Sequence, residues 1–155
     1  MTKRIRRIYV DASAVGGVFN DRTAEQTRPF WDAVERGEII VILSDVLDRE
    51  VRPAPQCVRE FMNSLPESQI ERAISTEESD ILAERYIAEK VVGPTCLDDC
   101  KHIAVATISK ADALVSWNFK HIVNIDRIRG YNGVNIMLGY SQIDILTPNM
   151  VIYGD

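Results

Sequence analysis

The chain has 155 residues, 46% hydrophobic and 26% charged, with a formal net charge of −5 and a pI near 5.1. This is the balance of an ordinary soluble globular protein with one sizeable core, and it predicts a single domain over residues 1–155. No apolar run approaches the ~20 residues of a membrane span. The basic N-terminus lacks a signal-peptide pattern, and an acidic chain is a poor candidate for simply coating nucleic acid.

In chain order, Ile5–Val10 reads as a buried strand that opens at Asp11 into the small-residue stretch Asp11-Ala-Ser-Ala-Val-Gly-Gly17. Thr23–Arg36 reads as a helix with a Thr23-x-x-Gln26 capping box and a stop at Gly37. Ile39–Leu43 is a continuous apolar run, as in a parallel strand covered on both faces. A short helix follows, capped by Ser44 or Asp45, and then Pro55–Leu65 with Val58, Phe61, Met62 and Leu65 on one face. Glu77–Val92 and Leu97–Lys110 are predicted helices separated by Gly93-Pro94, with strands at Ala113–Ser116 and Ile143–Leu146 and a helical piece after Asn118. This alternation predicts an α/β domain, a three-layer α/β/α sandwich with a mostly parallel sheet and its crevice at the carboxyl ends of the strands.

Three cysteines, none in a CxxC pair, and no export signal point to a reducing cytoplasm. Cys96, Cys100 and His102 are a poor match to structural zinc spacings. Lys3, Arg4, Arg6 and Arg7 form the one basic cluster, read as a solvated flank of the first strand in preference to a phosphate-contacting rim beside Asp11.

Carboxylates are common at helix starts, so each is first tried as a cap. Asp11 suits a strand-to-helix N-cap. Thr95-x-x-Asp98 fits a capping box, which accounts for Asp98 and leaves Asp99 at the start of the apolar helix through Ile103-Ala-Val-Ala106. A carboxylate on that buried turn needs a cation or several hydrogen bonds. Glu50 falls in the last turn of its helix, where the dipole disfavours an anion, so Arg49, Arg52 or a metal should offset it. Asp112 reads as a solvated turn carboxylate, and Asn118 as a turn residue or a ligand-orienting amide. Asp11, Glu50 and Asp99 come from separated segments at one sheet edge, and an oxygen-rich cluster of this kind suits Mg²⁺ or Mn²⁺. A receiver or phosphatase using Asp11 as phospho-acceptor is disfavoured: Asp11-Ala12-Ser13 lacks a second acid, and basic residues precede the strand.

"IYVDASAVGG", "SDVLDREVRPAPQCVREFM", "LDDCKHIAVATISKADALVSWNFKHIVN" and the tail "GYNGVNIMLGYSQIDILTP" together resemble the PIN-domain family, above all VapC-type toxin ribonucleases and related standalone bacterial PIN proteins. The resemblance spans essentially the whole chain. It implies a PIN-like fold and a Mg²⁺- or Mn²⁺-dependent endoribonuclease with an RNA substrate. It also implies a small antitoxin partner if the protein is a toxin, and a homodimer. Carried over by position, it implies Asp11, Glu50 and Asp99 as metal-site acids, Asn118 at the position of the fourth acid, and Ser13 and Ser116 as supporting hydroxyls. Asparagine removes one negative charge there, so the resemblance leaves open a catalytically weakened PIN fold acting as an RNA- or protein-binding scaffold.

Overall fold

A computed structural model describes residues 4–153. Five parallel strands, β1 (Arg6–Val10), β2 (Ile39–Ser44), β3 (Ile70–Ala73), β4 (Ala113–Val115) and β5 (Asp144–Leu146), form one sheet in the order β3-β2-β1-β4-β5. Alternation along the strands divides the core into two layers. Ile8, Val10, Val41, Leu43, Ala113 and Val115 face one side, where they pack with α1 (Ala12–Gly16), α2 (Ala24–Glu35), α3 (Asp45–Val51), α4 (Gln56–Asn63) and α8 (Pro148–Tyr153). Tyr9, Ile42 and Leu114 face the other, against α5 (Glu77–Ala88), α6 (Leu97–Ile108) and α7 (Ile125–Met137). The fold is therefore the expected three-layer α/β/α sandwich. Among the described residues no helix is long and apolar enough to cross a membrane.

The strand order excludes the receiver alternative. Receiver-type sheets run 2-1-3-4-5, whereas here β1 lies in the middle and the order reverses between β1 and β4. That switch point puts the ends of β1 and β4 side by side, with Ile8, Tyr9 and Val10 in register with Ala113, Leu114 and Val115.

Several local expectations change. β3, sequence Ile-Glu-Arg-Ala, was not foreseen: it is a short edge strand carrying two charges and lacks an apolar run. The predicted helix Glu77–Val92 ends at Ala88, because Lys90 takes a left-handed φ of 63° and reverses the chain. Gly37, at φ 80°, closes α2 as expected, but Thr23 does not cap it; its hydroxyl donates to the Gly17 carbonyl at 2.9 Å. Nor does the Thr95–Asp98 capping box form. Residues 94–96 make a 3₁₀ turn, and α6 begins behind Cys96 without a side-chain cap.

The basic cluster is not a rim beside Asp11. Arg4, Arg6 and Arg7 lie at the amino end of β1, a strand of five residues and so about 16 Å long, away from Asp11 at its carboxyl end. Arg7 grips Glu71 through Nε and Nη2 (3.0 and 2.6 Å), Arg4 bonds Asp112 at 2.6 Å, and Arg6 donates to the Val151 carbonyl at 3.0 Å. Asp112 is accordingly a strand clamp, also accepting from the Arg7 backbone N–H at 2.8 Å, and not a merely solvated turn carboxylate. Lys3 lies outside the described residues.

Candidate active site

Asp11 leaves β1 with extended backbone and caps α1, its Oδ1 accepting the Ala14 N–H at 3.0 Å. Capping uses only part of the carboxylate. Ser13 also donates to Oδ1 at 2.7 Å, and Ser116, just past β4, donates to Oδ2 at 2.6 Å. Oδ1 thereby accepts two bonds and Oδ2 one, which leaves one lone pair of the buried group open. The two hydroxyls are themselves locked: Ser13 Oγ accepts from the Trp117 backbone N–H (2.8 Å) and Ser116 Oγ from that of Asn118 (2.9 Å). Burial pushes the Asp11 carboxyl above the ordinary carboxylate range, and His102 together with the three donors pulls it partway back.

Asp99 enters from the first turn of α6 and is part-buried, while Asp98 is exposed. Facing, not capping, thus separates the two. Burial raises the Asp99 carboxyl; His102 and His121 oppose this, while the charges of Asp11 and Glu50 add to it. These acids therefore share one electrostatic neighbourhood. Asn118 meets Asp99 with its amide: Nδ2 donates to Asp99 Oδ1 at 3.5 Å, and Oδ1 accepts from the His121 N–H at 2.9 Å. The backbone donor fixes the amide's orientation, so its carbonyl is committed to the turn.

Glu50 lies in the last turn of α3, as expected, but neither Arg49 nor Arg52 offsets it. Its Oε1 meets His102 Nε2, and His102, almost fully buried on α6, bonds Tyr9 Oη through Nδ1 at 2.6 Å. Neither Tyr9 nor His102 was singled out for this site from sequence. The readable signal was a histidine three residues after Asp99, hence on the same helix face, in an otherwise small and apolar helix. Tyr9, inside an apolar run, gave none.

Within the small-residue stretch after Asp11, the two glycines differ in what surrounds them. A Cβ on Gly17 would stand 2.9 Å from both Trp117 Nε1 and Thr27 Oγ1, which bond each other at 2.9 Å, whereas one on Gly16 meets nothing within 4 Å. Both glycines have ordinary helical backbone. Gly17→Ala should cost about 1–3 kcal/mol by overpacking, and Gly16→Ala should be neutral or stabilise by up to about 1 kcal/mol. Urea denaturation of both variants checks this, and equal effects would contradict it.

Cys96 and Cys100 are buried and unpaired, and burial pushes the Cys100 thiol up to about 12, so it packs as a neutral thiol. Among the described residues no three His, Cys, Asp or Glu side chains are arranged to hold an ion as they stand. The donor chemistry nevertheless fits Mg²⁺ or Mn²⁺. Such ions take one or two carboxylates and keep several waters. Asp11 and Asp99 offer buried or part-buried oxygens whose ionisation burial opposes and a cation would favour.

A parallel sheet with acidic groups gathered at its switch point defines a PIN-like α/β fold, the class implied by the sequence resemblance. The fold is similar to the crystal structure of VapC20 from Mycobacterium tuberculosis, a sarcin–ricin loop cleaving toxin. The match has a TM-score of 0.56 over 88% of this chain and 98% of that one, at 12% identity. No protein-family model and no curated protein sequence matches the chain.

Proposed function

We propose that the chain, a single nuclease domain, is a metal-dependent endoribonuclease that cleaves RNA phosphodiester bonds at the Asp11–Asp99 cluster. The observation that carries this reading is the pair of carboxylates, raised by burial and set at the switch point of a fold shared with an RNA-cleaving toxin. Asp11 and Asp99 would hold Mg²⁺ or Mn²⁺; Ser13 and Ser116 keep Asp11 aimed, and Asn118 steadies Asp99. When bound, such an ion supplies charge neutralisation at the phosphate and activation of the attacking water. Glu50, held on one oxygen by His102, keeps the other free to ligate the ion or orient the water. A toxin role belongs to the same reading and is supported by the likeness to VapC20; a small antitoxin partner, a homodimer and a cytoplasmic location come to it from the sequence resemblance alone.

Incubation of structured RNA with the protein in Mg²⁺, Mn²⁺ or EDTA tests the proposal. Cleavage is expected with either metal, none in EDTA, and none by Asp11→Asn. Cleavage that persists in EDTA or in the variant would overturn it. A second reading, a non-cleaving RNA- or protein-binding scaffold, is favoured by Asn118, whose carbonyl is spent on the His121 backbone. Retention of RNA without cleavage under every metal condition would select it.

A further inference from the structure

Behind Glu50 a chain of hydrogen bonds runs into the core, and each of its protons can be placed. The Leu47 backbone N–H donates to Ser44 Oγ at 3.2 Å, so the Ser44 hydroxyl is free to donate its own proton, and Tyr9 Oη lies 2.6 Å from it. With the Ser44 hydroxyl as its donor, the Tyr9 phenol donates its own proton to His102 Nδ1 at 2.6 Å. His102 carries its proton on Nε2, directed at Glu50 Oε1. Run in the opposite sense, the chain would leave the Ser44 proton without an acceptor in a group with no exposure, an arrangement buried hydroxyls avoid. An imidazole without a proton on Nε2 would in addition set its lone pair against a carboxylate.

We infer that Tyr9 and His102 are positioning residues: the Ser44–Tyr9–His102 chain fixes one oxygen of Glu50 so that the other orients the attacking water and does not ligate the metal. Groups that hydrogen-bond the far side of a histidine or carboxylate fix its tautomer and orientation in this way around metal sites. Here both belong to rigid elements, β1 and α6. Their role in cleavage rests on the nuclease reading; the proton arrangement does not.

Two measurements separate these parts. In metal-free protein with ¹⁵N-labelled histidine, NMR should show His102 as the Nε2–H tautomer with a strongly downfield proton. That proton should move upfield in Glu50→Gln, and the Nδ1 shift should change in Tyr9→Phe. An Nδ1–H tautomer, or spectra untouched by both substitutions, overturns the inference whether or not RNA is cut. In the second measurement, Tyr9→Phe and His102→Gln should keep Mn²⁺ affinity and KM while kcat falls about 10–100-fold. Unchanged kcat, or Mn²⁺ affinity falling in step with kcat, overturns it, the latter by making Glu50 a ligand. Should His102→Gln fail to fold, Tyr9→Phe, which removes a single oxygen, decides. Wild-type protein that cuts no RNA would sink the nuclease reading and leave the NMR result to judge the chain.

Discussion

Asp99→Asn is expected to lower metal-dependent RNA cleavage by roughly 10³-fold, since charge stabilisation by a bound ion is worth several kcal/mol, while raising the melting temperature of the metal-free protein at neutral pH. Burial, with the charges of Asp11 and Glu50, raises the Asp99 carboxyl, and His102 and His121 only partly offset this. A carboxyl raised in the folded state favours the protonated form. Its contribution to stability is full below the ordinary carboxylate pKa and is lost as pH rises through the raised value. Asparagine cannot ionise, so the variant's melting temperature in EDTA should fall less steeply with pH and lie above that of the parent near pH 7. Mg²⁺ should narrow the gap by stabilising the parent alone. Melting curves across pH, with and without metal, measure this; a variant less stable than the parent in EDTA, or one that cleaves normally, contradicts it.

Trp31→Ala should be the most damaging single substitution in the layer beneath the site. Trp31 is buried on α2, packs edge-on against Phe30 and Phe61 with ring centroids 5.1 Å away in each case, and donates Nε1–H to the Ala14 carbonyl at 3.0 Å. Removing the indole costs about 3–5 kcal/mol from the cavity alone, which for a domain of this size lowers the melting temperature by roughly 10 °C. It also frees the carbonyl of α1 at the residue whose N–H is capped by Asp11, so the loss should extend to cleavage. Trp31→Phe, which keeps a ring but not the hydrogen bond, should cost less. Thermal and urea unfolding decide; a loss under about 1 kcal/mol would show that the cavity collapses freely.

What could be read in the sequence follows from how each feature is encoded. Ile39–Leu43 announces a central strand because both its faces are covered, whereas Ile70–Ala73 is an edge strand whose Glu71 serves Arg7, so its pattern looks like loop. Asp11 and Asp99 stand out as carboxylates in apolar surroundings, and the fold brings both to one edge. The grounds for preferring Asp99 were incomplete, since no cap claims Asp98; it simply faces solvent. The partners of these acids were hidden. That Ser116 donates to Asp11, or that Tyr9 reaches His102, depends on strand order and on the side of the sheet a residue faces, which local pattern does not carry. The arginines of residues 4–7 flank the first strand as preferred, but their bonds to Glu71 and Asp112 depend on the same long-range placement and were equally hidden.

The central position of β1 also bears on when the acidic cluster can exist. β1 is the first strand synthesised, yet its neighbour β4 begins only at Ala113, and the bond from Ser116 to Asp11 spans 105 positions. On a ribosome, where domains fold as the chain emerges, the first strand must wait for more than two thirds of the protein before Asp11 gains its last donor and Asp99 and Asn118 arrive beside it. A prematurely terminated chain ending before β4 thus carries Asp11 without Ser116, its last donor, and without Asn118. If the chain is the nuclease proposed above, its topology withholds the assembled acidic site until most of the protein has been made.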